Sequence, residues 1–99
     1  MRSKDLNRRA LLNQSVRYLE VDMEIYKARL VGMRQERNSM MRSIQQFHTE
    51  LTHWDDAQRK RLHHRYSAKT AQIHALERDV QRRGEQLSEY RVELAELED

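Results

Sequence analysis

Apolar residues recur along this chain in alternating steps of four and three. In the first half the series runs Leu12, Val16, Leu19, Met23, Tyr26, Leu30, Met33, Met40, Ile44, Phe47 and Leu51, with Arg37 as its one polar member. In the second half it runs Leu62, Tyr66, Ile73, Leu76, Val80, Leu87, Tyr90, Leu94 and Leu97, interrupted by Lys69 and Arg83. An average step of about 3.5 residues is the period that keeps one stripe of a helix against a partner helix with left-handed supercoiling. Sustained over five or more heptads on each side, it leaves little room for any other architecture.

Composition agrees with the period. Hydrophobic residues make up 37% of the chain and charged residues 35%, too little apolar material to surround a compact core. Such a chain is either disordered or a long helix with a narrow seam. Proline is absent and there are two glycines, Gly32 and Gly84, while Ala, Leu, Glu, Gln, Arg and Met propagate helix well. The expected fold is therefore all-α, a long two-helix antiparallel coiled-coil hairpin forming a single unit over 1–99. One helix is expected over about 5–51 and the other over about 56–97, with a turn near 52–57.

The turn falls in "HTELTHWDDAQ", where Thr49, Thr52 and His53 are poor helix formers. Asp55 and Gln58 fit a capping box, and Asp56 adds favourable charge to the first turn of the second helix. An uninterrupted helix through this region is the alternative. Charge distribution favours folding back: residues 1–49 hold ten Lys/Arg against five Asp/Glu, and residues 50–99 hold nine against eleven. A basic start and an acidic finish attract one another when the chain doubles over.

Two registers keep the seams in contact. One sets Leu51 by Leu62, Ile44 by Lys69, Arg37 by Leu76 and Leu30 by Arg83. The other, one heptad away, sets Arg37 opposite Lys69. Because two like charges at a seam repel and both lose hydration, the first register is expected. Arg37, Lys69 and Arg83 would then pass their stems across Leu or Ile and lift their charges to water, specifying alignment at some cost in stability. A two-helix seam buries one stripe per helix, so stability gained from self-association or a partner is also expected.

Beside the turn lies "RKRLHHRY", residues 59–66. Leu62 and Tyr66 belong to the seam, so Arg59, Lys60, Arg61, His63, His64 and Arg65 project outward. A solvated helix face is the plain interpretation. The functional one is a docking surface for an acidic protein partner, which such a cluster would steer into contact. Trp54, at the turn, either plugs the end of the seam or serves as an aromatic anchor in that surface. Nucleic acid fits less well, because Asp55 and Asp56 dilute the charge and most aromatics are committed to the seam. Tyr18, Val21, Val31, Met41 and Val92 lie off the seam and read as too scattered for a second stripe.

Several chemistries lack their residues. With no cysteine there are no disulfides, thiolate metal sites or thiol nucleophiles. The five histidines offer no i, i+4 pair on one helix face, and neighbours such as His63 and His64 point about 100° apart, so no metal is expected. No Gly-rich phosphate loop and no nucleophile beside a base is present, so neither a catalytic site nor a cofactor is expected and the chain reads as no enzyme. The basic N-terminus is not followed by an uninterrupted apolar run, so neither a signal peptide nor a membrane span is expected.

The second half, "LHHRYSAKTAQIHALERDV", with Leu62, Arg65, Ser67, Gln72-Ile73 and Leu76-Glu77 in order, resembles the small central-stalk proteins of bacterial type III secretion and flagellar export. "RYLEVD" at residues 17–22 and "ERN" at 36–38 extend the resemblance over most of the chain. It implies an antiparallel two-helix coiled coil seated in the pore of a hexameric secretion ATPase. It also implies coupling to the export gate at the cytoplasmic face of the inner membrane, and handling of substrate chaperones, without chemistry of its own. Two other functions remain open at this point. One is a generic helical adaptor or chaperone acting by coiled-coil contacts; the other is a nucleic-acid-binding hairpin using Arg59, Lys60, Arg61 and Arg65.

Overall fold

The computed structural model describes residues 2–50 and 56–98, with side chains at 2–46 and 56–98. The expected turn, with Leu51, Thr52, His53, Trp54 and Asp55, lies outside the described residues, as do the side chains of Phe47, His48 and Thr49. The fold is an all-α helical hairpin: α1 spans Ser3–Glu50 and α2 spans Asp56–Glu98. No strand occurs among the described residues. Helix α1 opens with the Arg2 carbonyl accepting from the N–H groups of both Asp5 and Leu6 at 3.0 Å. Asp5 and Asp56 each place a carboxylate in the first turn of their helices, where the helix dipole favours it.

The chain divides into two compact units, Met1–Lys27 with Arg78–Asp99 and Ala28–Glu77. Each is a pair of antiparallel segments, one from α1 and one from α2. In the first, Leu12 and Leu87 are buried; in the second, Leu30, Ile44, Ile73 and Leu76 are buried, Ile73 completely. All six are heptad positions of the series read from the sequence. The remaining heptad positions with described side chains are half-buried, and no polar side chain is fully buried among the described residues. That is the signature of a seam open on both sides, one stripe per helix thick.

The first unit joins the basic start of α1 to the acidic end of α2. Arg8 grips Glu93 side-on, donating from Nε at 2.8 Å and from Nη2 at 3.0 Å to the two carboxylate oxygens. Arg9 reaches Glu98 at 3.4 Å and Arg91 reaches Glu20 at 3.0 Å. Within its own helix each cluster is badly placed. Arg8 and Arg9 lie near the positive end of α1, and the last turn of α2 carries no basic residue to meet its negative end. Opposite charge on the facing helix offsets both defects, and only the antiparallel arrangement brings the two clusters together.

Register departs from expectation by one heptad. In the second unit Lys69 pairs with Glu36, which puts it level with Arg37 rather than with Ile44. In the first unit Arg83 meets Tyr26 and Asp22, and a methyl group added at Gly84 would sit 3.6 Å from Met23 Cε. These contacts set Leu19 level with Leu87, and Leu30 level with Leu76. The physical reason is local. Repulsion between Arg37 and Lys69 disfavours this alignment only if no anion is near, and Glu36 is adjacent.

Candidate docking surface and the seam cations

Arg59, Lys60, Arg61, His63, His64 and Arg65 are all exposed, on the α2 side of the second unit. Helical spacing sorts them. Asp56, Arg59, Lys60, His63, His64 and Ser67 follow one another at steps of three, one, three, one and three, so they share one face and line a single shallow groove. Arg61 leaves that face, its Nε donating to the Ala57 carbonyl one turn back at 3.4 Å. Trp54, the aromatic member of the expected surface, lies outside the described residues.

Among the described residues none of Arg59, Lys60, Arg61 and Arg65 forms an ion pair. Elsewhere in the described hairpin six cations form ion pairs between α1 and α2: Arg8 with Glu93, Arg9 with Glu98, Arg34 with Glu77 at 3.5 Å, Lys69 with Glu36, Arg83 with Asp22 and Arg91 with Glu20. The groove gathers Arg59 and Lys60, which form no ion pair among the described residues, beside one described carboxylate, Asp56. A surface of this kind attracts anions through water and is weakened by salt. No group of three or more His, Asp or Glu able to hold a metal ion occurs among the described residues.

The three seam cations are treated unequally. Lys69, with its side chain 20% exposed, places Nζ 2.7 Å from a Glu36 carboxylate oxygen. Arg83 lies over the Tyr26 ring, 4.3 Å from its centroid, and Nη2 donates to the Tyr26 hydroxyl at 3.1 Å. Its Nη1 donates to the Asp79 carbonyl at 3.4 Å, and Asp22 stands 4.0 Å from Nε. Arginine suits this place because its flat guanidinium stacks on a ring while its edge still bonds. Arg37 is half-buried and forms no ion pair among the described residues. Positive charge at each step of the seam is therefore met in a different way: by a carboxylate, by a ring, and by partial exposure to water.

A further apolar feature escaped the sequence. Leu11, Tyr18, Val21 and Ile25 are 51–65% exposed, and their spacing of seven, three and four is itself a heptad pattern on the side of α1 away from the seam. Tyr18 and Val21 alone looked scattered. Counting Leu11 and Ile25 with them makes a stripe, and a second pass over the sequence at the same period, offset from the seam, would have found it.

No described helix is long and apolar enough to cross a membrane. Comparison with protein-family models, with curated proteins and with solved structures finds no match to this chain.

Proposed function

We propose that this chain is a non-enzymatic coupling protein, the coiled-coil stalk of a type III secretion system that works with the secretion ATPase ring, the export gate and substrate chaperones. Support comes from the resemblance of residues 17–22, 36–38 and 62–80 to that family, together with the character of the hairpin's surface. The observation that carries it is the division of labour on each helix. A narrow apolar seam holds the hairpin, and it is flanked by ion pairs between exposed side chains, Arg8 with Glu93, Arg34 with Glu77 and Arg91 with Glu20. Exposed ion pairs contribute little and exchange readily with water. A stalk turning inside a ring needs contacts of that kind, because large apolar contacts would hold it in one orientation. Such a protein works at the cytoplasmic face of the inner membrane.

The direct test is ATP hydrolysis by a purified secretion ATPase with and without this protein. Stimulation that saturates with added protein is expected; no change at saturation sinks the stalk. A second function, a helical adaptor or chaperone, is favoured by the groove of Arg59, Lys60, His63 and His64, whose charge suits an acidic helix. Binding of a partner that weakens with salt and with Arg59→Glu/Lys60→Glu, in the absence of any effect on an ATPase, selects it. Retention on DNA that is lost on Arg61→Glu would instead select nucleic acid.

A further inference from the structure

We propose that the exposed stripe on α1, Leu11, Tyr18, Val21 and Ile25, is the interface through which a second copy of this chain docks, α1 against α1 and antiparallel. The proposal does not depend on the stalk assignment; it concerns the chain's own association.

Three observations carry it. First, the stripe repeats the period of the seam. In heptad terms Leu11, Tyr18 and Ile25 occupy one core position, and Gln14 and Val21 occupy the other. Isolated exposed apolar residues are ordinary on a protein surface, but four of them at heptad spacing along about four turns line one side of the helix, with Gln14 between Leu11 and Tyr18. The seam leaves this face exposed: Leu12, Val16, Leu19 and Met23 are centred about 140° away around α1, while Val21 and Glu24 border a groove that they share with Met23 and with Leu87 and Arg91 of α2.

Second, the charges flanking the stripe complement themselves. Arg17 and Glu24 lie along one edge, seven residues apart, both exposed and neither in an ion pair among the described residues. In an antiparallel pair of copies, Tyr18 of one faces Val21 of the other and Gln14 faces Ile25. The same twofold axis sets Arg17 of each copy against Glu24 of its mate, giving two equivalent pairs. A parallel pair would need Asp22 and Arg29 instead. Asp22 already stands near Arg83 and Arg29 is engaged within the hairpin. On the other edge Arg8 would approach Arg29 of the second copy, but Glu93 already neutralises Arg8.

Third, the chain has surface to spare. It exposes 7770 Å², where a folded chain of 12.1 kDa is expected to expose about 6,000 Å². The surplus is larger than the roughly 800 Å² that one partner contributes to an interface of standard size. A second copy supplies the apolar burial that a single seam lacks, with the large ring of Tyr18 set beside the smaller Val21.

Sedimentation equilibrium of the whole chain across a concentration series, together with helicity by circular dichroism, tests the proposal. The wild type is expected at the mass of two chains. Tyr18→Glu/Ile25→Glu should raise the dissociation constant by about a hundredfold or more, since four apolar side chains are lost per dimer. Arg17→Glu and Glu24→Arg, each exposed and outside the seam, should separately weaken association by about tenfold. Combining them should restore it to within about threefold of wild type. A wild type that stays a single chain at hundreds of micromolar overturns the proposal, as does a dimer that keeps its affinity in Tyr18→Glu/Ile25→Glu. If the double charge exchange fails to recover what each single change lost, the antiparallel pairing is wrong.

Discussion

Replacing Ile73 by alanine is the sharpest test of the seam. Ile73 is 0% exposed, the most completely buried residue described, and it lies in the unit that also buries Leu30, Ile44 and Leu76. The substitution removes three carbon atoms, at about 0.8 kcal/mol each, or roughly 2.4 kcal/mol of transfer free energy. Alanine returns about 0.4 kcal/mol through its better helix propensity. The seam is open at its sides, so neighbouring side chains can close over the gap and the cavity contribution stays small. The net loss is about 2 kcal/mol, a large share of the stability of a small domain. Urea unfolding followed by ellipticity at matched chain concentration should show the midpoint falling by about 1 M, for a slope near 2 kcal/mol per molar. Val92→Ala is the internal control: it removes two carbons from a side chain 58% exposed and should change stability by no more than about 0.5 kcal/mol. Equal effects at the two positions would mean that Ile73 does not face a partner helix, and the seam would have to be abandoned.

Register is tested by paired cysteines. Leu19→Cys with Leu87→Cys should oxidise readily to a disulfide, whereas Leu19→Cys with Leu94→Cys, one heptad out, should not; the reverse pattern would restore the alignment expected from the sequence. The Glu93 carboxyl is held below its usual range, first by the hydrogen bond from Arg8 and also by the charge of Arg8, against the opposing effect of desolvation. A carboxyl lowered in the folded state stabilises above its unfolded value and loses that contribution as pH falls through the folded one. Melting temperature should therefore decline more steeply below about pH 4.5 in the wild type than in Glu93→Gln. Arg8 is raised by the same contact but stays protonated throughout this window, so it adds no slope. Gly32 sits inside α1 with nothing within 4 Å of where a Cβ would lie, so Gly32→Ala should stabilise the helix by about 0.8–1 kcal/mol in urea unfolding. A loss there would show that the bare backbone is needed at that point.

Much of this architecture could be read in advance because it rests on a repeat. Leu12, Leu30, Ile44, Ile73, Leu76 and Leu87, the residues the fold buries, are all members of the four-and-three series, and periodicity needs no knowledge of neighbours in space. Charge at the two ends was legible for the same reason, since Arg8 and Glu93 belong to segments of opposite net sign. Register was not, because choosing between alignments one heptad apart turns on single side chains. Arg37 and Lys69 repel one another, but Glu36 beside them reverses the sign at that site. The seam period marks Tyr26 as apolar, although its ring also receives the Arg83 guanidinium. The outer stripe is hard to see in the sequence because Leu11, Tyr18 and Val21 are each next to or near a seam residue, so their shared period is masked by the stronger one. Arg59, Lys60, His63 and His64 were expected to be exposed and are; that they line one groove follows from the same helical spacing, applied to polar residues.

The regularity of the seam has a mechanical corollary. A toothed rack meshes as well after a shift of one pitch, here seven residues or about 10 Å of helix. Leu and Ile teeth are nearly interchangeable, so they resist separation but say little about which notch is engaged. The odd teeth decide that: Lys69 latched to Glu36, and Arg83 latched to Tyr26 and Asp22. Both latches sit at the rim of the seam, within reach of solvent and of any visiting charge, so the setting of the whole mesh is held by groups that the surroundings can touch.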